Sequence, residues 1–157
     1  MTTGLGYDCH RLAEGRRLVL GGVQLDHDRG LAGHSDADAL THAIIDALLG
    51  AAGLGDIGEH FPDTDPRYAG ADSLALLRAT REMIASAGCS VVHVDATVVI
   101  ERPKLAPHRD EMRARLAEAL QIDTGHVSVK ATRGEEMGFV GREEGVAALA
   151  VATLDRP

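Results

Sequence analysis

The chain has 157 residues and a formal net charge of −8 at pH 7, with 16 Lys and Arg against 24 Asp and Glu. This length predicts one domain, residues 1–157, and the acidic balance argues against nucleic-acid or anionic-membrane binding, which needs clustered basic side chains. Cys9 and Cys89 are too few for a disulfide framework and no apolar run is long enough to span a bilayer, so we expect a cytoplasmic protein.

Residues 2–10 predict a strand that ends in polar side chains. Because side chains alternate between the two faces of a strand, Asp8 and His10 share one face and Cys9 lies on the other. A carboxylate and an imidazole are suitable zinc ligands, and one further ligand from elsewhere would leave a fourth position open for substrate. The alternative is a strand-end pair that faces water.

Glycine pairs mark two features near the N-terminus. Gly4 and Gly6 do not form a dinucleotide-binding loop, because the third glycine of that motif is missing. A double glycine between two short apolar runs predicts a β-hairpin over residues 17–25. The acidic run at 26–28 contains a histidine and resembles a metal-binding sequence, but a solvated loop is the simpler interpretation.

The stretch 33–42 predicts the start of a helix. Ser35 would be its N-cap and Asp38 would complete a capping box before an apolar run. Since the first N–H groups of a helix lack partners, His34 and Ser35 would form a corner suited to phosphate. His42 would follow along the helix, either as a third zinc ligand or as an ordinary packing or surface histidine.

A long segment, residues 53–72, is rich in Gly, Pro and Asp and lacks periodicity, which is typical of functional or disordered loops. Its acidic residues could accept hydrogen bonds from polyol hydroxyls, and its apolar residues could form a pocket wall; a flexible acidic lid is the alternative. The residues concerned are Asp56, Asp63 and Asp65, with Ile57, Phe61 and Pro62.

The second half of the chain alternates helices and strands. The predicted elements are a helix that is capped by Asp72 or Ser73, runs through Ala87 and is closed by Gly88, then a strand at 91–100, a proline-containing turn at 101–107, a helix to Leu120 and a strand at 127–130. Residues 145–154 are apolar at nearly every position. Continuous apolarity predicts a strand covered on both faces, and in so small a domain this suggests a subunit interface.

The turn after the predicted strand at 127–130 combines three functional groups. Thr132, Arg133 and Glu135 offer a hydroxyl, a guanidinium and a carboxylate, which together could hold a phosphate and a divalent ion. A plain polar turn is the alternative interpretation.

Taken together, the motifs of the whole chain resemble those of the 2-C-methyl-D-erythritol 2,4-cyclodiphosphate synthase family, in order and without large insertions. The motifs are Asp8-Cys9-His10, Gly33 to Asp38 with His42, Gly55 to Gly58, Phe61 to Asp65, Pro103-Lys104, Lys130 to Thr132 with Glu135, Gly138-Phe139, Gly141-Arg142 and Glu144-Gly145. The resemblance implies an α+β two-layer sandwich. A mixed four-stranded sheet would carry helices on one face and a small N-terminal β-hairpin, in a homotrimer around a central apolar cavity.

The resemblance also implies an activity. The family converts 4-diphosphocytidyl-2-C-methyl-D-erythritol 2-phosphate to the cyclic diphosphate and CMP, in non-mevalonate isoprenoid biosynthesis, at active sites between subunits. Zinc would be bound by Asp8, His10 and His42, and a magnesium or manganese ion by Glu135. The substrate would contact Asp8, Cys9, His10, His34, Ser35 and His42 near the zinc, and Asp56, Ile57, Gly58, Phe61, Pro62, Asp63, Thr64 and Asp65 at its methylerythritol part. The cytidine pocket would comprise Ile100, Glu101, Arg102, Pro103, Lys104, Leu105, Ala106, Ala131 and Thr132.

One position departs from the family pattern. The family usually carries Thr after Thr132, whereas this chain has Arg133 followed by Gly134. We hypothesise that Arg133 donates a charge-assisted hydrogen bond to a phosphate and so stabilises the transition state, together with His34 and Glu135.

The family's central trimer cavity can hold an isoprenoid diphosphate. By resemblance Phe139 and Arg142 would line this cavity, with Glu144 close to Arg142. Two rival functions use the same features: a zinc phosphoesterase that releases a linear phosphate, and a trimeric sensor of isoprenoid diphosphates. A sensor would not need an open metal site with a second carboxylate, which argues against that alternative.

Overall fold

Seven strands and five α-helices follow one another along residues 1–156, the part of the chain that this computed structural model describes. The strands are β1 (Thr2–Ala13), β2 (Leu18–Leu20), β3 (Val23–Leu25), β4 (Gly30–Leu31), β5 (Ser90–Val99), β6 (Val127–Thr132) and β7 (Gly145–Asp155). The helices are α1 (Ala39–Ala52), α2 (Ile57–His60), α3 (Ser73–Ser86), α4 (Arg109–Leu120) and α5 (Gly138–Gly141). In this range no helix is both long and apolar enough to cross a membrane.

Five strands form one mixed sheet in the order β4-β1-β7-β5-β6, and β2 and β3 form the separate hairpin. β5 and β6 are parallel, and the other neighbours are antiparallel. The predicted mixed sheet and hairpin are confirmed, but the predicted count of four strands is wrong. β1 extends beyond the predicted residue 10, and its last two residues pair with the very short edge strand β4.

The helices cover one face of the sheet, as predicted. α1 packs across β1 and β7, α3 packs against α1, and α4 packs against α3 and β6. Side chains at even-numbered positions of β7 and of β5 from Val94 onward, such as Ala148 and Val94, point into this layer and are buried. The predicted α3 is confirmed, with Asp72 as its N-cap and Gly88 in a left-handed conformation just after its end.

Gly4 and Gly6 lie where β1 crosses α1. A Cβ at Gly6 would be 1.9 Å from the carbonyl oxygen of Ala43, and one at Gly4 would be 2.1 Å from that of Ala47. The two glycines therefore serve close packing of strand on helix, which agrees with the rejection of a dinucleotide motif.

The predicted start of α1 at Ser35 is wrong. The helix begins at Ala39, and Asp38 is its N-cap, accepting a hydrogen bond of 3.0 Å from the backbone N–H of Thr41. Ala37 has a φ of +57°, a left-handed conformation that no helix can continue through. His34 and Ser35 thus precede the helix, and its N-terminal N–H groups do not form a phosphate site at these two residues.

Asp38 also explains how the hairpin is joined to the helix. Its buried carboxylate accepts hydrogen bonds of 2.9 and 2.8 Å from the backbone N–H groups of Gly21 and Gly22, which occupy the hairpin turn with positive φ. The long segment 53–72 is also hydrogen-bonded to α1. Asp46, on α1, accepts a 2.8 Å hydrogen bond from the N–H of Ile57 at the start of α2.

The second face of the sheet lies opposite the layer of α1, α3 and α4. Its central strands expose apolar side chains, with Leu149 at 39% and Val151 at 41% of their full exposure and Leu5 and Tyr7 beside them on β1. Within residues 1–156 this face of β7 is therefore covered only near its start, where Gly145 and Ala147 are buried.

Candidate metal centre and polar cleft

Three side chains converge where β1 passes the first turn of α1. Asp8 Oδ2 lies 2.9 Å from His10 Nδ1 and 3.2 Å from His42 Nδ1. One donor atom from each residue lies within 4.8 Å of the other two. The strand alternation that aligns Asp8 with His10 and the helix that carries His42 thus bring together one carboxylate and two imidazoles, a donor set suited to zinc.

The hydrogen bonding of these residues fits a metal ligand set. His10 Nδ1 is buried and makes no hydrogen bond of good geometry, although Asp8 Oδ2 lies 2.9 Å away. A cation bound between this ring nitrogen and the carboxylate would satisfy both groups. All three side chains are only partly accessible, so three protein ligands and one open position are compatible with the surroundings.

The electrostatics of the centre also favour a cation. Burial raises the pKa of Asp8, but the polar contacts with His10 and His42 outweigh it and hold the pKa below its usual value. Burial lowers the pKa of His42, but the hydrogen bond and charge of Asp8 outweigh it and leave the pKa above its usual value. Asp8 therefore remains charged and attracts positive charge to this point.

Behind His42 lies a buried polar network that the sequence did not reveal. His42 Nε2 is 2.9 Å from Ser73 Oγ and 3.1 Å from Ser35 Oγ, and the Ser73 hydroxyl donates a short hydrogen bond to Asp36. Ser73 was predicted only as a possible helix cap. No local pattern signals its contact with His42, since the two residues are 31 positions apart.

His34 connects the metal centre to the segment 53–72. Its Nε2 is 3.0 Å from the carbonyl oxygen of Asp65, and its own carbonyl accepts a 2.7 Å hydrogen bond from Gly70 N. The predicted polyol acceptors lie in different settings: Asp56 caps α2, Asp63 is exposed, and the Asp65 carboxylate pairs with Arg67 at 2.6 Å. Asp65 thus reaches His34 through its backbone rather than through its carboxylate.

A polar cleft of about 1210 Å³ opens at the ends of β5 and β6. The predicted residues 100–106, 131, 132 and 133 all line it. Its wall further includes residues that the sequence analysis did not propose: Asp26, His27, Asp28, Arg109, Glu136, Gly141 and Glu143. The interpretation of 26–28 as a solvated loop is wrong for its histidine, since the His27 side chain is only 7% exposed. None of the three metal-centre residues lines the cleft.

Arg133 lies in the cleft wall and pairs with a nearly buried carboxylate. Its Nη2 is 2.6 Å from Glu101 Oε1, and Glu101 Oε2 also accepts a 2.9 Å hydrogen bond from Gly134 N. The Glu101 side chain is 6% exposed and that of Arg133 is 56% exposed. Glu135 is exposed and does not line the cleft, whereas its neighbour Glu136 does.

Three further predicted residues lie away from the cleft. Cys9 is exposed on the face of β1 opposite to Asp8 and His10. Phe139 is exposed on α5, and Arg142 pairs with Glu144 at 2.9 Å, which matches their predicted proximity.

The YgbB family profile matches residues 1–155. The chain belongs to the YgbB family. A relative from Salinibacter ruber named 2-C-methyl-D-erythritol 2,4-cyclodiphosphate synthase is 64% identical over 154 residues, which cover 98% of both chains. The predicted resemblance to that synthase is therefore confirmed, and the YgbB fold agrees with known structures.

Two solved structures illustrate that agreement. The bifunctional IspDF from Campylobacter jejuni matches with a TM-score of 0.95 and 42% identity, over 99% of this chain and 42% of that one. A 2C-methyl-D-erythritol-2,4-cyclodiphosphate synthase in a CDP-bound form matches with a TM-score of 0.89 and 38% identity, over 98% of this chain and 99% of that one.

Proposed function

We propose that this YgbB protein converts 4-diphosphocytidyl-2-C-methyl-D-erythritol 2-phosphate into 2-C-methyl-D-erythritol 2,4-cyclodiphosphate and CMP, as a phosphorus–oxygen lyase of isoprenoid biosynthesis in the cytoplasm. The observation that carries the proposal is the convergence of Asp8, His10 and His42 in a chain 64% identical to a synthase of that name. The cytoplasmic location is supported by two free cysteines.

The reaction needs positioning and charge neutralisation rather than a protein nucleophile. An oxygen of the substrate's 2-phosphate attacks the β-phosphorus, the bond from that phosphorus to the CMP oxygen breaks, and CMP leaves with the electron pair. The protein must fold a flexible substrate so that these atoms meet, and such orientation can lower the barrier by several kcal/mol. In this proposal His34 and Ser35 hold the diphosphate, and residues 56–58 and 61–65 bind the methylerythritol part.

Metal ions suit a chain with a net charge of −8 that must bind phosphates. Asp8, His10 and His42 would hold zinc, and Glu135 would hold magnesium or manganese together with the substrate phosphates. Bound divalent ions supply Lewis-acid stabilisation of negative charge on phosphate oxygens.

The polar cleft is the proposed cytidine pocket. Residues 100–106, 131 and 132 line it, and a related synthase of the same fold has been solved in a CDP-bound form. Arg133, at the edge of this cleft, would face the phosphates.

The active site is proposed to lie between the subunits of a homotrimer. Asp8, His10 and His42 do not line the cleft of their own chain, which supports a site in which the metal centre of one chain meets the cleft of a neighbouring chain. The apolar open face of the sheet supports such an assembly. A central cavity with Phe139 and Arg142, able to take an isoprenoid diphosphate, remains part of the proposal.

Phosphorus NMR on the purified protein with zinc, magnesium and the cytidine substrate tests the activity. We expect signals of a cyclic diphosphate and CMP, whereas a phosphoesterase would give a linear phosphate and a sensor would give no turnover. His42→Ala should lose bound zinc and CMP release together, while His126→Ala, which removes an exposed histidine, should retain both. A zinc-free His42→Ala protein with normal CMP release would contradict the proposal.

A further inference from the structure

We propose that Asp36 and Ser73 are positioning residues that fix the tautomer of His42, so that its Nε2 carries the proton and its Nδ1 keeps a lone pair for a cation. This inference rests on the proposed metal-binding role of His42. It concerns two residues that do not themselves contact the metal centre's open side.

The carboxylate of Asp36 acts only as an acceptor. Its Oδ1 accepts a 3.2 Å hydrogen bond from the backbone N–H of Asp38, and its Oδ2 accepts a 3.1 Å hydrogen bond from the backbone N–H of Ser73. The Ser73 hydroxyl donates to the same carboxylate at Oδ1. A hydroxyl has one proton, so the only donor of the Ser73 side chain is used by Asp36.

The Ser73 oxygen can therefore only accept from His42. His42 Nε2 lies 2.9 Å away, within hydrogen-bond distance, so this nitrogen carries a proton, also when the ring is neutral. Ser35 Oγ, 3.1 Å from the same Nε2, already accepts a 3.2 Å hydrogen bond from Ala37 N and can share this proton as a second acceptor.

The remaining ring nitrogen then points at the metal centre. With the proton on Nε2, His42 Nδ1 presents a lone pair 3.2 Å from Asp8 Oδ2. In the protonated ring this contact is a hydrogen bond from Nδ1–H to Asp8, and in the neutral ring a bound cation would take the place of that proton. Hydrogen bonds to the distal nitrogen of a metal-binding histidine fix both its tautomer and its ring orientation.

The two hydroxyls that contact His42 Nε2 are both buried. Ser73 is completely buried and Ser35 is 8% exposed, so water cannot easily replace either partner. Ser73 is the first residue of α3, whereas Asp36 precedes α1, so the network also fixes His42 relative to two helices.

Nitrogen-15 NMR of the histidine rings tests the tautomer directly on the metal-free protein at alkaline pH, where the rings are neutral. The expected spectrum shows His42 protonated at Nε2. In Ser73→Ala the Nδ1-protonated form should become populated, and competition with a chromogenic chelator should show zinc binding about 10- to 100-fold weaker. Thr80→Ala is the matched control, since it removes another fully buried hydroxyl from α3 that bonds only to Leu76 O.

The outcomes separate this inference from the proposed function. If the wild-type protein binds no zinc, the metal site itself is wrong. If it binds zinc but His42 is protonated at Nδ1 in the metal-free protein, or Ser73→Ala binds zinc as tightly as Thr80→Ala, the positioning role is overturned. The wild-type spectrum decides the question even if Ser73→Ala does not fold.

Discussion

At the scale of single residues, Arg133 adds a positive charge to the cleft wall. Its guanidinium is paired with Glu101, whose carboxylate is nearly buried. A buried negative charge beside a phosphate-binding site would repel the substrate unless it were neutralised. Arg133 therefore has two possible contributions: it neutralises Glu101, and its half-exposed guanidinium can still donate to a phosphate.

We expect Arg133→Thr to raise KM for the cytidine substrate about tenfold, because a charge-assisted hydrogen bond contributes about 1.5 kcal/mol or more. Steady-state measurement of CMP release gives this value. The double variant Glu101→Gln/Arg133→Thr separates the two contributions, since it should recover KM if neutralisation alone matters. Unchanged KM and kcat in the single variant would show that Arg133 has neither role.

The periodicity of the sequence predicted part of the candidate site, and the rest of the site could not be predicted from it. The alternation of a strand placed Asp8 and His10 on one face, and the resemblance of the whole chain favoured His42 as the third ligand over an ordinary packing histidine. The contacts of Ser73 with Asp36 and His42 join segments more than 30 positions apart, and no local pattern encodes them. His27 was misjudged for the same reason, because its burial depends on the distant residues that form the cleft.

At the scale of secondary-structure elements, the metal centre depends on how closely β1 approaches α1. Gly6 on β1 faces the backbone of Ala43 on α1, one residue after His42. A side chain at Gly6 would force the strand away from the helix, and the ligands on the two elements would then separate. Close packing and metal binding are therefore coupled through one glycine.

Gly6→Ala should lower the free energy of unfolding by about 1–3 kcal/mol or more, since overpacking a core contact costs that much. It should also weaken zinc binding, measured by chelator competition. Gly50→Ala is the matched control, because Gly50 lies on α1 with no atom within 4 Å of the Cβ that alanine would add, and alanine there favours the helix by about 0.5–1 kcal/mol. Equal stability and equal zinc affinity in the two variants would show that the close approach is not needed.

Turn and cap residues in the sequence predicted most of the secondary-structure elements. Gly21 and Gly22 indicated the hairpin, and Gly88 indicated the end of α3. The start of α1 was misplaced because Ser35 and Asp38 are both good caps, and only the left-handed backbone at Ala37 decides between them. β4 was missed because a strand of two residues has no periodicity.

At the scale of the whole molecule, the open face of the sheet is the feature that a single chain leaves unexplained. Leu149 pairs in register with Tyr7, and Val151 pairs with Leu5, so four apolar side chains form one exposed patch on β1 and β7. The continuous apolarity of residues 145–154 predicted a strand covered on both faces, but within residues 1–156 Leu149 and Val151 remain partly exposed on the open face. A neighbouring subunit would complete this cover.

Leu149→Asp places a charge in the centre of this patch and should convert a trimer to monomers, as measured by sedimentation equilibrium. The monomer should still bind zinc, because Asp8, His10 and His42 all belong to one chain, but it should release CMP at least about 100-fold more slowly, because the cleft of a neighbouring chain is lost. Ala85→Asp adds the same charge to the exposed side of α3 and should leave mass and activity unchanged. A monomeric Leu149→Asp protein with wild-type CMP release would place the complete active site within one chain, and the open face would then need another explanation.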